Sequence, residues 1–134
     1  METTCTHIAI HAHDIEAGVS FYKRYAGLKE AHRRTEHGVT VVWLAEQGRE
    51  KEFVIVLIEA SHADAVSPPP MAHIGYAVAT REDVDRLTEM ARSDGVLVKG
   101  PVDAGGVVGY YSIMRDPDGN QVEFSHGQDL GKPA

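Results

Sequence analysis

Two strand-like stretches of this chain start with a histidine and two end at a glutamate, so the sequence reads as one module written twice. Thr6-His7-Ile8-Ala9-Ile10-His11-Ala12 and Ala72-His73-Ile74-Gly75-Tyr76-Ala77-Val78 share a period of two, the mark of a strand. His7 and His73 lie 66 residues apart, and Glu59 and Glu123 lie 64 apart. Between the halves stands Ser67-Pro68-Pro69-Pro70, which neither a helix nor a central strand accommodates.

Each opening strand runs into a helix. In the first half Asp14 is the N-cap, Ile15, Val19, Tyr22 and Ala26 form one apolar stripe, and Gly27 is the stop. In the second half Thr80 and Asp83 resemble a capping box, Val84, Leu87 and Ala91 make the stripe, and Gly95 ends it. Strand-like runs follow each helix. They are Val39–Ala45 and Phe53–Ile58 in the first half, after a weakly signalled strand near Ala31–Thr35. In the second they are Val96–Val98, Tyr110–Met114 and Gln121–Ser125. The expectation is an α+β chain, one domain over residues 1–134, built of two βαβββ modules at 5–66 and 71–127.

Side chains alternate across a strand. In the strands of His7, His73 and Glu123, the bulky apolar residues share one face and the His or Glu takes the other. The strand of Glu59 is ambiguous, because Phe53–Ile58 is apolar throughout. Sheets curled around the second face would bring two imidazoles and two carboxylates together. Such a group is costly in a cavity without compensation, and a divalent cation supplies it. His7, Glu59, His73 and Glu123 are therefore the candidate ligands. An N₂O₂ set suits Zn²⁺, Ni²⁺, Co²⁺, Fe²⁺ or Mn²⁺, and leaves about two positions of an octahedral ion open. The absence of cysteine ligands disfavours a closed structural zinc site.

Composition removes other classes. The net charge of −7 argues against binding a phosphate backbone or an anionic membrane. No apolar run approaches the roughly 20 residues of a membrane span. The polar N-terminus does not read as a signal peptide, which implies a cytoplasmic protein. Cys5 is the one cysteine, so there is no internal disulfide, and no CxxC or adjacent base marks it as reactive.

With the two histidine strands, Phe21-Tyr22, Gly27-Leu28, Leu57-Ile58-Glu59 and the turn Asp116-Pro117-Asp118-Gly119 before Val122-Glu123, the chain resembles the vicinal oxygen chelate superfamily. This is the glyoxalase/bleomycin-resistance/dioxygenase group, and the resemblance covers about residues 5–127. It implies paired βαβββ modules forming a curved mixed-sheet cup around a metal that chelates two neighbouring substrate oxygens and stabilises an enolate or oxyanion. The ligand pattern is most similar to glyoxalase I. That implies a metal-dependent lyase or isomerase acting on a small oxygen-rich molecule, with Glu123 first and Glu59 second as the base. It also implies a homodimer with sites between chains. A ligand-sequestering protein without metal, or an iron-dependent dioxygenase using His7, His73 and Glu123, remain the alternatives.

Several departures narrow the resemblance. His11 stands where bacterial glyoxalase I typically has an arginine for glutathione, and Ala63 where an asparagine is common; a thiol cosubstrate stays unassigned. The tail Ser125–Gly131 has no arginine of the kind that fosfomycin thiol transferases usually carry. His11, Trp43, Tyr111 and Gln121 are candidate substrate contacts, with core packing the competing role for Trp43. Asp103–Gly109 is glycine-rich and could serve as a lid, but no helix follows it as a phosphate loop requires.

Overall fold

The computed structural model describes residues 2–61 and 71–128. The chain divides into two compact units, Met1–Ser67 and Pro68–Ala134. The proline-rich break and Ala63 lie outside the described residues. The first unit runs β1 (His7–Ala12), α1 (Ile15–Ala26), β2 (Lys29–Glu36), β3 (Val39–Ala45) and β4 (Val54–Glu59). The second runs β5 (His73–Ala77), α2 (Arg81–Asp94), β6 (Leu97–Asp103), β7 (Tyr110–Arg115) and β8 (Gln121–His126). Each is a βαβββ module with one open four-stranded sheet, ordered β1-β4-β3-β2 and β5-β8-β7-β6. The first strand pairs parallel to the last, and the remaining pairs are antiparallel.

Both helices begin and end where the capping chemistry requires. Asp14 accepts a hydrogen bond from the Ala17 amide at 3.1 Å, and Gly27 closes α1 in the left-handed region. Thr80 accepts from the Asp83 amide at 3.0 Å, and Gly95 closes α2 likewise. In the first unit Val19 and Tyr22 of α1 are buried, as are Ala12, Val42, Leu44, Ile55 and Leu57 of the sheet. Gly18 sets how near helix and sheet come, since a Cβ there would stand 3.0 Å from Leu57 Cδ1.

In the second unit Val84, Leu87 and Ala91 are buried with Met114, Val122 and Phe124. A hydroxyl pair sits inside this core. Thr88 donates to the Val84 carbonyl at 2.6 Å, which uses its one proton, so Ser112 donates to Thr88 at 2.5 Å. β6 runs beside β7 and comes close to Ser112 at Gly100, where a Cβ would lie 2.8 Å from Ser112 Cα. Among the described residues, no helix is long and apolar enough to cross a membrane.

Candidate metal centre

The second unit brings two of the expected ligands together. In β8 Val122 and Phe124 are buried with the α2 core, so Gln121, Glu123 and Ser125 face the other way. In β5 His73, Gly75 and Ala77 take that same face. The parallel register sets Glu123 beside Gly75, a position without a side chain. A Cβ on Gly75 would stand 3.3 Å from Glu123 Oε2, so glycine leaves the carboxylate its space. His73 Nε2 then lies 3.4 Å from Glu123 Oε2.

The other ring nitrogen decides the protonation pattern. His73 Nδ1 is 2.9 Å from the Met71 carbonyl, which can only accept, so Nδ1 carries the proton. In the neutral ring Nε2 therefore presents a lone pair to a carboxylate oxygen. A proton on Nε2, or a metal cation beside the pair, turns two facing lone pairs into an attractive contact. Glu123 is 7% exposed, and Gln128 donates to both its oxygens, at 3.3 and 3.5 Å. A histidine oriented by a backbone carbonyl and a carboxylate oriented by an amide fit a divalent ion.

The first unit places His7 at the start of β1. His7, Ala9 and His11 face away from the buried Ala12, and His7 Nδ1 is 3.0 Å from the Thr6 hydroxyl. Glu59 departs from its expected position. It pairs with Ala12, five residues beyond the His7–Val54 pair. It also shares the helix-side face of β4 with Ile55 and Leu57, and accepts a hydrogen bond from the Thr40 amide at 3.2 Å. The residue in the register of Glu123 is Val56: it pairs with Ala9 as Glu123 pairs with Gly75. Glu59 thus ends its strand as Glu123 does not, and on the opposite face from His7. Among the described residues, no three His, Cys, Asp or Glu side chains form a group that could hold a metal.

The other candidates fall on the open faces. His11 pairs with Ile58 on the His7 face. Gln121 pairs with His73 and Arg115 on the Glu123 face. Tyr111 is half-buried on that face too, with Lys99 Nζ 5.7 Å from its ring centre. Its neighbour Tyr110 points the other way and donates to Asp85 of α2. Trp43 lies in one row with Ala9, Val56 and His32 across the first sheet. It borders a cavity of about 540 Å³ that also touches His7, Arg34 and Ile58. Sequence reasoning missed Gln128, the Met71 carbonyl and Arg34. Only Gln128 left any trace there, as a polar residue after the last strand.

Comparison with known proteins agrees with this architecture. The family model described as Glyoxalase/Bleomycin resistance protein/Dioxygenase superfamily matches residues 4–124. An uncharacterized protein of Pseudomonas aeruginosa is 40% identical over 131 residues, 98% of this chain and 94% of that protein. The trypanothione-dependent glyoxalase I of Leishmania major has a similar structure, with a TM-score of 0.71 at 24% identity, covering 93% of this chain and 87% of that one. A mutant of the fosfomycin resistance protein FosX of Listeria monocytogenes, complexed with Mn(II) and 1S,2S-dihydroxypropylphosphonic acid, gives 0.76 at 20% identity, over 97% and 96% of the two chains. At these identities the two structures attest the fold alone. The match over residues 4–124, with two βαβββ units beneath it, makes the chain a member of the Glyoxalase/Bleomycin resistance protein/Dioxygenase superfamily.

Proposed function

We propose that the chain is a divalent-metal-dependent enzyme, a lyase or isomerase acting on a small organic molecule with adjacent oxygens. The observation that carries this reading is the His73–Glu123 pair, a lone pair set 3.4 Å from a buried carboxylate with both groups oriented from behind. His7, the histidine at the matching place in the first unit, is the third donor. The register and facing of Glu59 support a set of three, with Val56 where a fourth ligand would stand.

A divalent ion in such a set supplies Lewis-acid stabilisation of negative charge developing on substrate oxygen. The protein's own part is to hold and to move a proton. Gln128 keeps Glu123 from turning away, and the Glu123 oxygen not facing His73 accepts the proton from substrate. Met71 keeps the His73 lone pair forward. As in other members of the superfamily that form dimers, two chains together form the working unit in this reading.

Two histidines and one carboxylate are also the donor set of oxygen-activating iron centres, which favours a dioxygenase as the second reading. Metal content of untagged protein purified without chelators tests both. Near-stoichiometric metal is expected in wild type and in Glu59→Gln, and loss in His7→Ala and in His73→Ala. Loss in Glu59→Gln would restore a four-ligand set. Iron as the retained metal, with oxygen consumed on turnover, would select the dioxygenase. A wild type that stays empty after incubation with Ni²⁺, Zn²⁺, Co²⁺, Mn²⁺ and Fe²⁺ would leave a metal-free binding protein.

A further inference from the structure

The cavity of the first unit has a composition of its own. Its floor is aliphatic: Val54 and Val56 are buried with Ala45, and Val41 and Ile58 pack against them. Trp43 forms a wall and keeps 37% of its surface exposed. The His32 ring leans on it at 4.8 Å between centres, and the Arg34 guanidinium lies 5.9 Å from the indole centre. A volume of about 540 Å³ suits a small molecule rather than a chain segment.

The rim is charged, and most of its negative charge is already matched. Glu50 pairs with Lys29 at 2.6 Å, and Glu52 pairs at 2.8 Å with Arg49, which also holds Glu46 at 2.7 Å. Among the described residues Arg34 forms an ion pair only with Glu36, 3.6 Å away and 66% exposed, a pair that water screens. Lys51 makes no ion pair among the described residues. Two cations thus border an apolar, aromatic-walled hollow in a chain whose net charge is −7. A molecule matching both features has a flat apolar body and one anionic group.

We propose that this cavity binds small aromatic carboxylates, the ring against Trp43 over the Val56 floor and the carboxylate drawn by Arg34 and Lys51. His7 borders the same cavity, so the proposal names a substrate class for the function proposed above and rests on that reading for any turnover. Binding itself needs no metal.

Trp43 is the one tryptophan, so intrinsic fluorescence reports on this wall without a label. Full-length protein stripped with chelator is titrated with phenylacetate, with its neutral analogue phenylacetamide, and with acetate, which has no ring. Phenylacetate is expected to give a saturable change with a Kd at least about tenfold below either of the others. Arg34→Gln and Lys51→Gln are each expected to weaken phenylacetate severalfold and to leave phenylacetamide unchanged. Circular dichroism establishes that both variants are folded, and calorimetry repeats the titration without the fluorophore. Equal affinity for phenylacetate and phenylacetamide would overturn the role of the cations. Equal affinity for acetate would overturn the role of Trp43, and no saturable signal from phenylacetate would overturn the site. Metal content is measured on the same preparations. Phenylacetate binding in protein that never takes up metal sinks only the enzymatic reading, and metal uptake without phenylacetate binding sinks only this one.

Discussion

Gln128 reaches back from beyond β8 and donates its amide N–H groups to the carboxylate of Glu123. An outer partner of this kind fixes a ligand's direction and tunes its basicity. Gln128→Leu keeps the bulk and removes both N–H donors. Metal affinity, read by competition with a chromophoric chelator, is expected to fall by about tenfold or more, with the melting curve of metal-free protein little changed. Unchanged affinity would mean that the contact is incidental. Gly75 acts on the same carboxylate by leaving room for it, since any side chain at that position would crowd Oε2.

At the scale of elements, the helices were the most legible part of the sequence. Asp14, Gly27, Thr80 and Gly95 all cap where local chemistry places them, because caps act over three or four residues. Strands that depend on partners were harder. β2 extends over Lys29–Glu36, beyond the expected 31–35, because a bulge between Glu30 and His32 interrupts its alternation. β6 continues to Asp103, where the pattern ended at Val98, because Gly100 and Pro101 mask a strand whose register shifts there. The facing of Glu59 was hard to read for a related reason. Val54–Ile58 is apolar on both faces, so its facing is set by pairing with β1, which spacing along the chain cannot report. The close approach of β6 to β7 at this register shift has a direct test. Gly100→Ala puts a methyl against the Ser112 backbone from a φ of +117°. It is expected to cost about 1–3 kcal/mol, read as a lower urea midpoint. A change within error would show that the strands separate freely there.

Over the whole molecule, the surface charge predicts an acid limb to stability. The Lys29 ammonium, hydrogen-bonded to Glu50, lowers that carboxyl to about 2, and the Arg33 guanidinium lowers Glu30. A carboxyl whose folded pKa is depressed stabilises the fold above its unfolded pKa of about 4.3 and loses that contribution as pH falls toward the folded value. Stability is therefore expected to decline between about pH 4.3 and pH 2, and Glu50→Gln to flatten part of that decline. Both groups are solvent-screened, so the flattening is small and shrinks further in salt. Urea midpoints at several pH values check it, and parallel curves for the two proteins would refute it. The doubled architecture was legible from the histidines alone, since His7 and His73 open equivalent strands. The strand register of the carboxylates was not, because the near-equal spacing of Glu59 and Glu123 along the chain conceals a three-residue shift between their strands.

That shift leaves an electrical residue. Two modules each offering an imidazole and a carboxylate would neutralise a doubly charged ion completely. With Val56 in place of one carboxylate, two neutral rings and Glu123 would cancel only half of that charge. The centre would keep a net charge of about +1. An anion would then complete the charge balance that the polypeptide leaves open, and a neutral molecule of the same shape would not.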